Sequence, residues 1–199
     1  MSQQYFAREP DSKSRPAECD FSYRGQALHF VTDSGVFSRG EIDFGTRTLL
    51  EALPPLYGRG LDLGCGFGAV GISTAKCYQT ETVLSDVNTR ALALAKQNAE
   101  RNHVSVQTLE SDGLSDIEGD FDFILTNPPI RAGKDVIYRL FQESAGRLKP
   151  GGALFIVIRK QQGAQSAEKY LRTLFSNVEA VDKSGGFWVL KCTHEGEEK

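Results

Sequence analysis

The run Gly60-Leu61-Asp62-Leu63-Gly64-Cys65-Gly66-Phe67-Gly68-Ala69-Val70-Gly71-Ile72 constrains this chain more than any other segment. Leu61 and Leu63 bracket Asp62 in a stretch of strand length, glycines recur at 64, 66 and 68, and a small apolar segment then suits the opening of a helix. Glycine lacks a Cβ and tolerates positive φ, so the turn can bend tightly, admit a ligand against its backbone and deliver it to a helix N-terminus. A strand, turn and helix joined in this way belong to a parallel α/β sheet.

The remainder of the chain repeats the alternation. Strands are expected at 60–63, 81–86, 104–109, 121–126 and 153–158, with a helix ending near Tyr78 after the first. Asn88 caps a helix carrying Ala91, Leu92, Leu94 and Ala95, and further helices are expected at 135–148 and 166–175. Strands at 177–182 and 187–193 around Ser184-Gly185-Gly186 form a closing hairpin-like pair. Upstream, Phe21 and Tyr23 face Leu28 and Phe30 across Gly25-Gln26 as a β-hairpin, preceded by a polar arm over residues 1–19. Thr46 is expected to cap a helix through Leu49, Leu50 and Leu53 that Pro54-Pro55 stops. The fold class is therefore α/β, a mainly parallel seven-stranded sheet with an antiparallel edge and an N-terminal β-hairpin. The 199 residues read as one domain, with arm, hairpin and loop over 1–45 and a core over 46–199.

A formal net charge of −3 provides no global attraction for nucleic acid, so any such partner needs a local basic patch. The four cysteines, at 19, 65, 77 and 192, form no C-x-x-C pair and have no histidine at ligand spacing, which argues against a zinc site or disulfide framework. No segment reaches membrane-spanning length and no leader is visible, so a reduced cytoplasmic setting is expected.

Gly66-Phe67-Gly68-Ala69-Val70-Gly71 satisfies G-x-G-x-x-G, with Asp86 at about the ~20-residue distance of a dinucleotide site. Asp62 tilts the choice, because a carboxylate beside the turn suits a cationic amino-acid end and would repel a pyrophosphate. The D-x-G-x-G-x-G pattern of residues 62–68 resembles motif I of class I S-adenosylmethionine-dependent methyltransferases. The resemblance implies a Rossmann-like methyltransferase fold and S-adenosylmethionine as cofactor, held by Asp62, Gly64, Cys65, Gly66 and Gly68. Asp86, with Val87 beside it, is then expected to accept from both ribose hydroxyls, and Asp112-Gly113 to meet the adenine amine.

Thr126-Asn127-Pro128-Pro129-Ile130 follows the fourth core strand and resembles the Asn-Pro-Pro-aromatic motif of enzymes methylating amide or exocyclic amino nitrogens. Such a nitrogen is a poor nucleophile because its lone pair is delocalised. If Asn127 and the Pro128 carbonyl accept its two hydrogens, the nitrogen is pushed toward sp3 and needs no histidine base; Asn127 also borders the cofactor. Ile130 stands where an aromatic is usual and cannot π-stack, which makes Phe37 the candidate stacking residue. Pro129, Ile130, Arg131 and Lys134 are the other expected substrate contacts, the two cations facing RNA phosphates. No cysteine lies near the relevant strands for the thiolate that pyrimidine C5 methylation needs.

Taken together, residues 35–38, 43–46, 61–66 and 127–134 resemble the small-domain family related to bacterial small-subunit ribosomal RNA guanine-N2 methyltransferases, over about residues 20–193. That implies methyl transfer to guanine N2, with ribosomal RNA or a ribosomal subunit as partner and no metal. A protein glutamine N5-methyltransferase and a non-catalytic RNA-binding domain are the alternatives.

Overall fold

The computed structural model describes Arg8 and residues 12–194. Within it, β1 (Ala17–Tyr23) and β2 (Gln26–Thr32) form the expected antiparallel hairpin, with Phe21 opposite Leu28 and Cys19 opposite Phe30. Its two-residue turn, Arg24-Gly25, has φ of 46° and 79°, the left-handed backbone that matches strand twist. Residues 1–7 and 9–11 of the expected arm lie outside the described residues. The part that is described crosses the loop after β2: the Arg15 amide and Ser34 Oγ donate to Asp33 and to the Lys13 carbonyl, respectively.

Seven further strands make one sheet: β3 (Arg59–Leu63), β4 (Glu81–Asp86), β5 (Val106–Glu110), β6 (Phe121–Thr126), β7 (Leu148–Arg159), β8 (Asn177–Asp182) and β9 (Phe187–Thr193). Their spatial order is β5-β4-β3-β6-β7-β9-β8. Pairs from β5 to β7 are parallel, and β9 runs antiparallel to both β7 and β8. The antiparallel strand thus sits one place in from the edge, where the short β8–β9 connection returns the chain.

Both faces of this sheet are covered, so its strands read as apolar runs. Phe123, Leu125, Phe155 and Val157 point into one core with α1 (Phe44–Ala52), α2 (Ala69–Tyr78), α3 (Thr89–Arg101) and the hairpin. Ile124, Leu154, Ile156 and Ile158 alternate into the other, against α4 (Lys134–Ala145) and α5 (Ala164–Leu171).

Several local expectations shift. Asp43, not Thr46, caps α1, its Oδ1 accepting from the Thr46 amide at 3.1 Å, because the residue whose side chain can reach back to an unpaired amide lies three positions earlier. Helix α4 stops at Ala145, and β7 starts before Pro150-Gly151-Gly152 rather than after it, with a register irregularity against β6. Gly151 has φ of 78°, and a Cβ on Gly152 would lie 2.9–3.1 Å from three carbonyl oxygens, so two glycines let the strand continue through an irregular step. Gly163, at φ 102°, starts α5 two residues early.

The hairpin is attached by a device that its sequence does not advertise. Asn98 of α3 and Asn102, the C-cap residue of that helix one turn later, each bond both backbone groups of a β2 residue. Asn98 Oδ1 accepts from the Val31 amide at 2.7 Å and its Nδ2 donates to the Val31 carbonyl at 2.9 Å; Asn102 treats His29 likewise, at 2.9 and 2.8 Å. Four helical residues rise about 6 Å and two strand residues about 6.6 Å, so side-chain amides on α3 can act as a substitute strand along the open edge of β2.

Candidate active site

Strands β3 and β6 are neighbours although β4 and β5 intervene in sequence, which makes their carboxyl ends the point where strand order reverses and a crevice opens. A cavity of about 980 Å³ occupies this position. It is lined by Phe37, Asp62, Gly64, Cys65, Gly66, Asp86, Val87, Asp112, Gly113, Asn127, Pro128, Pro129, Ile130 and Arg131, so one space gathers nearly every residue selected from the sequence. Gly68 and Lys134 do not line it.

The glycine turn is anchored on the neighbouring strand, the Gly64 and Cys65 amides donating to the Ser85 carbonyl at 2.9 Å each. Gly64 and Gly66 have φ of 71° and 56°, and a Cβ on either would meet nothing within 4 Å; their bare backbone faces the open cavity. Gly68 serves packing instead: its Cβ would lie 2.6 Å from Ile72 Cδ1 and 3.3 Å from Ala95, where α2 approaches α3.

Two carboxylates form the floor. Asp62 is 2% exposed and its Oδ2 accepts from the Gly71 amide at 2.8 Å, while Oδ1 has no hydrogen-bond partner among the described residues. Burial, opposed by the Gly71 bond and reinforced by Asp86, pushes its pKa from 3.8 to about 7. Asp86 ends β4 half-buried, with Oδ2 accepting from Gly66 and Oδ1 from Asn88, each at 2.9 Å, and burial raises its pKa as well. The Val87 amide also donates to this carboxylate, which with about four acceptor positions still has room for a ligand donor. A turn with open backbone above two acids that are hard to ionise fits a ligand bearing cationic centres and vicinal hydroxyls, and disfavours a pyrophosphate.

Beyond β5, Asp112 is paired rather than free. Arg139 of α4 donates to it at 2.6 Å and to Glu143 at 2.9 Å, and Glu143 Oε2 accepts from the Leu114 amide at 2.8 Å. A Cβ on Gly113 would stand 2.2 Å from that Glu143 oxygen, so glycine is needed for the loop to dock. Arg139 was not evident from sequence; the one available signal was an arginine four residues before a glutamate on a helix face.

At the other end of the cavity, Asn127 follows β6, whose Thr126 hydroxyl donates to the Leu63 carbonyl at 2.9 Å. Asn127 Nδ2 donates to Thr46 Oγ1 at 3.2 Å and, at the limit of hydrogen-bond length, to Asp43 Oδ1 at 3.5 Å. The first turn of α1 therefore fixes which end of this amide donates, leaving Oδ1 to accept. The site roles of Asp43 and Thr46 were also missed in the sequence, where they are separated from Asn127 by some eighty residues. Lys134 turns away, its Nζ 5.0 Å from the Tyr138 ring centroid. The Cys65 thiol is buried and held well above its ordinary pKa of 9.0 by burial and by the charges of Asp86 and Asp62.

The methyltransferase small-domain family model matches residues 27–191, a span that holds the whole cavity lining. The chain belongs to the methyltransferase small-domain family. It is 43% identical to the uncharacterized protein YbxB of Bacillus subtilis, over 96% of this chain and 98% of that one. It is also 36% identical to the ribosomal RNA small subunit methyltransferase C of Hahella chejuensis, over 79% of this chain and 50% of that protein. The structure of the T. thermophilus 16S rRNA N2 methyltransferase RsmC, in complex with AdoMet and guanosine, superposes with a TM-score of 0.83 at 28% identity. The match covers 92% of this chain and 52% of that one. The chain thus spans about half the length of these ribosomal RNA methyltransferases. As a member of this methyltransferase family it is S-adenosylmethionine-dependent, and the open glycine turn with its two carboxylates is a cradle suited to that cofactor. No described helix is long and apolar enough to cross a membrane, and no group of three or more metal-ligating side chains occurs among the described residues.

Proposed function

We propose that this chain transfers a methyl group to an exocyclic base nitrogen, guanine N2 of small-subunit ribosomal RNA. The observation that carries the reading is the orientation of Asn127. Its Nδ2 is engaged by Thr46 and Asp43, which leaves its Oδ1 to accept from an acceptor amine in the cavity, and the carbonyl of the adjacent lining residue Pro128 is assigned the second hydrogen. Both hydrogens of an amino group donated there leave the nitrogen lone pair pointing away from the two carbonyls. When bound, S-adenosylmethionine supplies a methyl on a sulfonium; a C–N bond forms as the C–S bond breaks, and the extra proton on nitrogen leaves to water.

The remaining residues divide the binding. Asp62 Oδ1, with no donor among the described residues, is assigned to the cofactor ammonium, the Asp86 carboxylate to the ribose hydroxyls, and Asp112, oriented by Arg139, to the adenine amine. Exclusion of a Cys65 thiolate by burial agrees with nitrogen rather than ring-carbon methylation. Support for ribosomal RNA comes from the two ribosomal RNA methyltransferases to which the chain is similar.

The test is Asn127→Ala assayed by single-turnover transfer to ribosomal RNA, with adenosylhomocysteine affinity as the control for folding. Transfer should fall about 100-fold to 1,000-fold, by analogy with loss of one preorganised polar contact, while cofactor affinity holds. Undiminished transfer would remove Asn127 from the chemistry, and methylation of a protein glutamine by the wild type would replace the RNA assignment.

A further inference from the structure

We propose that Phe44 and Phe187, with Arg159 beside them, form a stacking platform at the acceptor end of the cavity that holds an unpaired RNA base adjoining the target nucleotide; this rests on the RNA reading above. Position is the first argument. Phe187 and Arg159 line the cavity together with Asn127, and the Phe187 ring edge lies against Gly45, where a Cβ would come within 2.9 Å of it. Gly45 sits between Asp43 and Thr46, the two residues that hold the Asn127 amide. The platform is therefore next to the acceptor group rather than to the Asp86 end.

Shape is the second. Phe44 is 53% exposed at the first position of α1, although the buried face of that helix is carried by Leu49 and Leu50. Its ring centroid is 5.7 Å from that of Phe187 at a 42° tilt, and a Cβ on Gly185 would be 2.2 Å from Phe44 Cε1, so glycine lets the β8–β9 turn support the ring. Arg159 pairs with Phe187 across β7 and β9, its guanidinium carbon 5.9 Å from the ring centroid. An aromatic pair with one ring exposed, the other half-buried at the cavity wall, and a guanidinium at its side is a surface on which a base can stack whatever its identity.

Charge is the third. Arg159 and Lys160 come from the segment beside this platform, tied to the β8–β9 turn by the Lys160 amide donating to the Gly186 carbonyl at 2.8 Å, whereas Lys183 of that turn lies over the Trp188 ring, its Nζ 4.0 Å from the centroid. Among the described residues neither Arg159 nor Lys160 enters an ion pair, so two cations stand beside the rings on a chain of net charge −3. An anionic backbone with bare bases satisfies both features, and Ile130 leaves the Asn-Pro-Pro motif without a stacking ring of its own.

The experiment is fluorescence anisotropy of a labelled short single-stranded RNA at saturating adenosylhomocysteine. Phe44→Leu and Phe187→Leu should each weaken binding about 5- to 150-fold, the range for losing one stacked base, with Phe187→Tyr retaining it and adenosylhomocysteine affinity unchanged throughout. Arg159→Gln should lower the salt slope of log K by about 0.7. Wild-type RNA affinity in both leucine variants would overturn the platform, as would polyglutamate binding as well as RNA does with the same dependence on the two rings. Stacking-dependent RNA binding by a wild-type protein that methylates only protein would leave the platform and sink the proposed function. RNA methylation with an unaltered KM in both leucine variants would do the reverse.

Discussion

Replacing Asn98 with Ala removes three hydrogen bonds at once. The side chain is 0% exposed; it satisfies the amide and carbonyl of Val31 and also donates to the Phe67 carbonyl at 2.9 Å, tying the hairpin to the glycine turn. Val31 and Phe67 are themselves buried, at 7% and 4% exposure, so water does not readily replace the lost amide. Each stranded polar group costs about 1–3 kcal/mol, and with partial relaxation the total should be about 3–5 kcal/mol, a large share of the ~5–15 kcal/mol that holds a domain folded. Asn102→Ala is the internal control: it strands the backbone of His29, an exposed residue, and should cost only about 0.5–1.5 kcal/mol. Urea unfolding of the three proteins, followed by circular dichroism, measures both. Because Phe67 belongs to the turn, the Asn98 variant should also bind adenosylhomocysteine more weakly, and the Asn102 variant should not. Equal losses in the two variants, or a loss below about 1 kcal/mol for Asn98, would refute the idea that buried amides on α3 replace a missing strand.

The pH dependence of cofactor binding should report Asp62. Its folded pKa of about 7 lies above the ordinary 3.8, so between those values the folded chain holds a proton that the unfolded chain has lost. Stability from this group therefore declines as pH rises toward 7 and then levels. A ligand ammonium against Asp62 favours the carboxylate, so adenosylhomocysteine affinity should rise with pH up to about 7, by at most tenfold per unit, and Asp62→Asn should flatten the profile in calorimetry. Gly71→Ala places a Cβ 2.2 Å from Leu84 Cδ2 and 3.0 Å from Asp62 Cβ; Leu84 is fully buried and cannot swing aside, so a urea midpoint shift equivalent to about 1–3 kcal/mol is expected. Thr46→Val removes the acceptor that orients Asn127 and should lower kcat by the equivalent of about 0.5–1.5 kcal/mol, with adenosylhomocysteine affinity unchanged and Thr46→Ser restoring the rate.

The sequence by itself determined the architecture and the chemistry of the turn. Leu61, Leu63 and the glycines at 64 and 66 specify a buried strand and an open turn through side-chain periodicity and the absence of a Cβ, both local properties of consecutive residues. The apolar runs of β6 and β7 announce strands buried on both faces for the same reason. Only the tertiary structure decided how distant residues complete the site. Asn127 is legible in its motif, but the direction of its amide depends on Asp43 and Thr46, brought to it by α1 packing on the sheet. Asp112 is legible as a loop acid, yet its orientation comes from Arg139 on α4, and Lys134, a plausible phosphate contact by position, is drawn onto Tyr138 by its place one turn earlier on the same helix. Gly68, in line with its neighbours in the motif, turns out to serve helix packing because only the folded chain sets Ala95 beside it. Asn98 shows the limit most clearly. A polar residue on the apolar face of α3 has no local meaning until β2 lies alongside, when its amide supplies the donor and acceptor that the strand edge lacks.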